Sequence, residues 1–242
     1  MSEDGTTSPL SGYFNEHLKE LRRRITVSFL FVVIASIVCY LFARPLARFI
    51  IEPLFDAYPD LTGLVYTNLP EAFVSYLKIS ILFGLAISFP FVLYQAWMFV
   101  APGLRRGEKS LAVKVVFWAS ILFAGGVFFA FFVVMPKALS FFMSFAGGNL
   151  EPLPKLDAYL TFIARSVLAF GIAFEIPFLM VVTGRTGMVD RKYFSQKRWV
   201  FYVAILVLAF LLTVGDLLST LLLAVPLFGL YEAGVLVMKI FS

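Results

Sequence analysis

From Ile25 to Ala43 the chain runs without a charged side chain. Five more long, almost uncharged stretches follow: Tyr76 to Val100, Ala112 to Met135, Leu160 to Thr183, Trp199 to Thr213 and Leu217 to Met238. A helix of roughly 20 apolar residues crosses a hydrocarbon core of about 30 Å, so this repetition constrains the fold more than any other feature. The runs are continuous rather than alternating, which excludes a membrane barrel and leaves helices, whose backbone groups are all satisfied within one segment. With 61% hydrophobic and 14% charged residues, no soluble class fits. The prediction is an all-α membrane protein with six transmembrane helices. The fifth and sixth spans, joined by a tight turn at Val214 to Asp216, are expected to be short. Trp199 to Gly215 covers only about 25 Å at 1.5 Å per residue, so the bilayer must be thin there.

The charges between the runs predict orientation, because connections rich in Lys and Arg stay in the cytoplasm. One alternate set holds Lys19, Arg22, Arg23 and Arg24; Arg105, Arg106, Lys109 and Lys114; Arg185, Arg191, Lys192, Lys197 and Arg198; and Lys239. The other holds only Arg44, Arg48, Lys137 and Lys155. Both termini are therefore expected in the cytoplasm. The polar, acidic start precedes the basic cluster and a full-length span, so the first span reads as retained rather than cleaved. Residues 1–10 read as a disordered tail and 11–242 as a single six-span domain. Lone Cys39 offers no disulfide. The basic residues are split among short loops, which gives no nucleic-acid surface.

In the first outer connection, "RPLARFIIEPLFDAY" repeats Leu46, Phe49, Ile50 and Leu54 at helical spacing, with Arg48, Glu52 and Asp56 on other faces. It predicts an amphipathic helix lying on the outer leaflet or capping the bundle. The third span is expected to continue past Pro136 through "ALSFFMSF" until "AGGNLEPLPK" stops it. No internal repeat supports an inverted-repeat carrier.

Catalytic constellations are missing from the sequence. His17 is the sole histidine and lies before the first span, which leaves no HExxH site and no buried Ser and His pair. Asp190 and Asp216 fall on opposite sides of the membrane, and no phosphate loop is present, so neither an enzyme nor a nucleotide or other cofactor is expected. Carboxylates in unusual places remain. Glu20, in "HLKELRRR", either pairs with Arg24 four residues on, contributing about 0.3 to 0.5 kcal/mol, or offers a carboxylate to a cationic ligand. Glu108, in "APGLRRGEKS", reads equally as a loop charge or as a second acceptor on the same face. Glu175 sits inside "FGIAFEIPFLMVV", where an acidic group costs about 2.5 kcal/mol or more to insert. Arg165 lies about 15 Å away along the same helix, and Lys78 is free to reach the outer surface along its stem. Glu175 is therefore expected to be a neutral acid bonded to a neighbouring helix, near the backbone carbonyl freed by Pro177, or else a proton-carrying group of a small-molecule transporter.

Five stretches, "HLKELRRR", "YQAWMFVAPGLRRGE", "FGIAFEIP", "LLTVGDLLSTLLLAVPL" and "LYEAGV", in this order and with six spans, resemble the TatC family, the core of the twin-arginine protein translocase. The resemblance implies a receptor and scaffold in the bacterial or archaeal plasma (inner) membrane. It would bind twin-arginine signal peptides of folded cargo and organise TatA-type and TatB-type single-span subunits, other copies of itself and membrane lipid for export driven by the proton-motive force. By resemblance, Glu20 and Glu108 contact the arginine pair and Arg22 orients them. Glu175 is the polar point of a membrane-embedded groove, and Asp216 and Thr220 belong to the outer turn that meets partner subunits. Glu232 matches a glutamate near the inner end of the last span. The chain departs from the family at the outer turn, with Val214 and Gly215 where two prolines are usual and Thr220 in place of a glutamine. Paired arginines suit paired carboxylates, since a guanidinium makes two parallel hydrogen bonds that lysine cannot copy.

Overall fold

The computed structural model describes residues 9–59, 61, 63–100, 109–144, 153–185, 191–213 and 217–240. The described chain is almost wholly helical: α1 (Pro9–Leu41), α2 (Ala43–Ala57), α3 (Glu71–Val100), α4 (Lys109–Phe129), a π-helical turn (Ala130–Val134), α5 (Met135–Ser144), α6 (Leu156–Arg185), α7 (Arg191–Gln196), α8 (Arg198–Leu212) and α9 (Leu217–Ile240). Five helical stretches are long and apolar enough to cross a membrane: Glu16–Leu41, Glu71–Phe99, Val113–Ser144, Leu156–Gly184 and Leu217–Lys239. A sixth apolar helix, Arg198–Leu211, is shorter. Of the expected short pair, then, only the fifth span is short. The 15 residues of α8 reach about 22 Å, whereas the 24 of α9 reach about 36 Å. The expected tail falls mostly on residues 1–8, outside the described residues, and the helix of the first span begins at Pro9.

The expected continuation past Pro136 is present, and proline explains its form. Pro136 has no N–H to donate and its ring crowds the carbonyl one turn back. The helix widens into a π turn just before it and then resumes as α5.

Helix α2 is the expected amphipathic element, but its buried stripe is Ala43, Ala47, Ile50 and Leu54. Phe49, expected inside, is largely exposed and stacks on Phe131 at 4.9 Å. The two alanines let the α2 backbone approach α3 and α5 closely, which rotates the stripe toward the small residues. Tyr159 Oη donates to the Ile50 carbonyl at 2.8 Å, so α2 caps the bundle.

Helix α6 lies at the centre, packed on α3, α4 and α9, while α1 leans on α3 and α8 on α9. Small residues set the closest approaches, as membrane helices without a hydrophobic driving force require. A Cβ on Gly126 of α4 would lie 2.5 Å from the Phe170 carbonyl oxygen of α6, and one on Gly171 would lie 2.6 Å from the Phe123 ring.

The end of the bundle carrying α2 is also tied by backbone. Val65 N–H donates to the Pro154 carbonyl at 3.1 Å, and Leu156 N–H to the Val65 carbonyl at 3.0 Å. Glu71 accepts from the N–H groups of Thr67 at 2.7 Å and Asn68 at 3.2 Å. Lys78 does not simply reach for the surface: its ammonium pairs with Asp157 and donates to Thr161 at 3.1 Å, joining α3 to α6.

Candidate functional site: a basic cleft and a buried acid

At the opposite end, the first turns of α1 meet the last turns of α3. Antiparallel packing brings His17 over Phe99, with ring centroids 4.4 Å apart, and sets Arg24 beside Gln95. Between them lies a cleft of about 520 Å³ lined by Lys19, Glu20, Arg23, Arg24, Val27 and Gln95. Glu20 Oε1 accepts from Arg24 Nε at 3.0 Å and from Nη2 at 2.5 Å. The remaining Arg24 nitrogen, Nη1, donates to Gln95 Oε1 at 3.2 Å. The pairing of Glu20 with Arg24 is therefore present, and α3 shares in it. Gln95 is the residue that sequence reasoning missed. It is a lone amide in an apolar run, the same signal that singled out Glu175.

Arg22 does not line this cleft and is exposed; its carbonyl accepts from Thr26 Oγ1 at 2.8 Å. Glu108 lies outside the described residues, as do Val214, Gly215 and Asp216.

Glu175 is only 6% exposed, and its Oε1 is buried without a hydrogen-bond partner. It lies one helical turn beyond Gly171, whose missing side chain admits Phe123 of α4. Two residues further, Pro177 meets Gly234 of α9, where a Cβ would lie 3.0 Å from its Cα. Helix packing is therefore close on either side of Glu175 along α6. An orphaned polar atom at membrane depth is expensive, and exceptions of this kind call for a function.

The hairpin of α8 and α9 is fastened at both ends. Thr213 Oγ1 and Thr220 Oγ1 are 2.6 Å apart next to the turn, and Thr220 is only 2% exposed. Thr220 therefore faces into the hairpin, while Leu217, Leu218 and Leu221 beside it are exposed. At the basic end, Tyr202 Oη donates to Glu232 Oε1 at 2.5 Å, Arg198 Nη2 lies 3.4 Å from Glu232 Oε2, and Tyr231 Oη donates to the Phe194 carbonyl at 2.7 Å. Glu232 thus locks α8 to α9. Among the described residues no group of His, Cys, Asp and Glu comes together to hold a metal ion.

Residues 16–226 match the model of the family described as Sec-independent protein translocase protein (TatC). The chain is 34% identical to the protein of that name from Desulforapulum autotrophicum, over 100% of this chain and 88% of the relative. It is also 34% identical to the one from Rickettsia prowazekii, over 93% of this chain and 91% of the relative. Its fold is similar to a crystal structure described as the twin-arginine translocase receptor TatC, with a TM-score of 0.85 and 31% identity, covering 93% of this chain and 98% of the other.

Proposed function

The chain belongs to the TatC family, and on that premise we propose that it is the core receptor and scaffold of a twin-arginine translocation system, with both termini in the cytoplasm. Glu20 and Glu108 receive the two arginines of a signal peptide at the cytoplasmic face, and Arg22 beside them orients the approach. The observation that carries this reading is the Glu20 carboxylate, which already holds a guanidinium through two nitrogens at the mouth of an open cleft. That is the chemistry an arginine ligand requires. The apolar part of the signal packs along the membrane helices, and Glu175 supplies the single polar point of the groove that opens there.

TatA-type and TatB-type single-span subunits and further copies of the chain assemble on its lipid-facing surfaces. Leu217, Leu218 and Leu221 form one such surface beside the Asp216 turn, and buried Thr220 holds its shape. Family membership removes the ground for reading Glu175 as the proton site of a small-molecule carrier, and no catalytic step is assigned to the chain. Crosslinking a twin-arginine signal peptide to membranes containing the protein tests the proposal. Glu20→Ala combined with Glu108→Ala should lower crosslinking about a hundredfold, the loss of two charge-assisted hydrogen-bonded contacts. Undiminished crosslinking in the double variant overturns the receptor reading.

A further inference from the structure

The cleft around Glu20 carries more positive than negative charge. Lys19, Arg23 and Arg24 line it with one carboxylate. A cationic ligand entering this cleft meets repulsion and finds one oxygen of its acceptor, Glu20 Oε1, already engaged by Arg24. The occupant is held firmly: the Arg24 side chain is 20% exposed against 37% for Glu20, and its third contact reaches across to α3. Glu20 therefore offers both of its oxygens to the fork of an incoming guanidinium only when Arg24 moves off.

We infer that Arg24 is an internal stand-in for the ligand's guanidinium, holding Glu20 against weak cations until a paired-arginine segment displaces it onto Gln95. The inference rests on the proposed role of Glu20 as an arginine acceptor.

Binding at Glu20 is then an exchange of one charge-assisted pair for another, and the first arginine alone gains little. A lone basic residue fails, and so does lysine, which cannot rebuild the two-nitrogen grip that it must replace. A segment with a second arginine and an apolar stretch supplies the surplus from other contacts. Gln95 Oε1, already 3.2 Å from Arg24 Nη1, receives the displaced side chain. A neutral amide is a weaker acceptor than a carboxylate, so Arg24 returns when the ligand leaves. The competitor inside the protein thus raises the threshold for every ligand by the same factor, so weak cations fall below it while the ratio between arginine and lysine is set by Glu20 itself. Arg24 and Gln95 are positioning residues in this scheme, since the ligand's contact is with Glu20.

The test measures binding of fluorescent signal peptides carrying Arg-Arg or Lys-Lys to the full chain in lipid nanodiscs. Arg24→Gln should tighten Arg-Arg and Lys-Lys binding alike, by about fivefold, the scale of one partly exposed ion pair, and so bring the weak ligand into the measurable range. Arg24→Lys keeps a cation without the fork and should shift both affinities the same way by less; it serves if the glutamine variant does not fold. Arg23→Gln removes an equal charge from the same cleft while leaving Glu20 occupied, and its gain should be smaller than that of Arg24→Gln. Gln95→Leu should weaken Arg-Arg binding in the natural chain but not when combined with Arg24→Gln. Weaker or unchanged binding in Arg24→Gln, or an equal gain in Arg23→Gln, overturns the stand-in. Glu20→Gln separates the two proposals. A loss of about tenfold in that variant keeps Glu20 as the acceptor whatever Arg24 does, whereas no loss overturns both.

Discussion

Near the N-terminal end of α1, Glu20 keeps 37% of its side chain exposed and shares its charge with Arg24; inside the bundle, Glu175 is 6% exposed and its Oε1 has no hydrogen-bond partner. Both are single carboxylates on helices that cross a membrane. The first is solvated and paired, so its partner can be swapped without moving a helix. The second is buried on α6, between the glycine contacts that α6 makes with α4 and α9, so its surroundings are set by helix packing. An exchangeable site suits selection of a ligand from the cytoplasm, and an enclosed one suits a later step that coincides with rearrangement.

The largest effect that would break this contrast is loss of peptide crosslinking in the Glu20 and Glu108 double variant described above. Glu175 should behave in the opposite way. Glu175→Ala should leave peptide affinity within about twofold, since it lies outside the arginine-binding cleft, while reducing export about tenfold or more, as expected for an intramembrane polar group with a function. Glu175→Gln, which keeps a hydrogen-bonding group without a charge, should retain most export. If Gln proves as damaging as Ala, ionisation matters and the neutral role fails. Smaller effects belong to the ties that hold the frame. Lys78→Met should lower stability by about 1 kcal/mol in thermal unfolding from detergent, and adding Asp157→Leu should recover part of it, because the unpaired carboxylate is then gone. Thr220→Val should cost about 0.6 kcal/mol, a typical interhelical hydrogen bond in a membrane, and should leave peptide binding unchanged.

The apolar runs were legible as helices, because a long apolar run is a one-dimensional signal that packing does not override, but α1 and α3 begin at Pro9 and Glu71, well before Ile25 and Tyr76, and only the last two helices agree closely in their ends. Trp199 to Thr213 became Arg198–Leu212, and Leu217 to Met238 became Leu217–Ile240. The outer amphipathic helix was legible as an element, but its buried face was not. Periodicity weighs Phe49 above Ala47, whereas close packing favours the alanine. Pairing by four residues along one helix predicted Arg24 with Glu20. The contacts of Arg24 with Gln95 and of Lys78 with Asp157 join residues 71 and 79 positions apart, and they follow from the register of helix packing rather than from any local pattern.

The distance between Lys78 and Asp157 also bears on biosynthesis. The cation leaves the ribosome 79 residues before its counter-charge. Throughout that interval α3 is inserted with an unmatched ammonium near its N-terminal end, which the long lysine stem carries to the lipid headgroups. Docking of α3 on α6, and with it the backbone tie between Val65 and Pro154, waits for α6 to be made. In the nascent first half α3 already has α1 to pack on, and completion of the core around α6 is a late event that follows insertion.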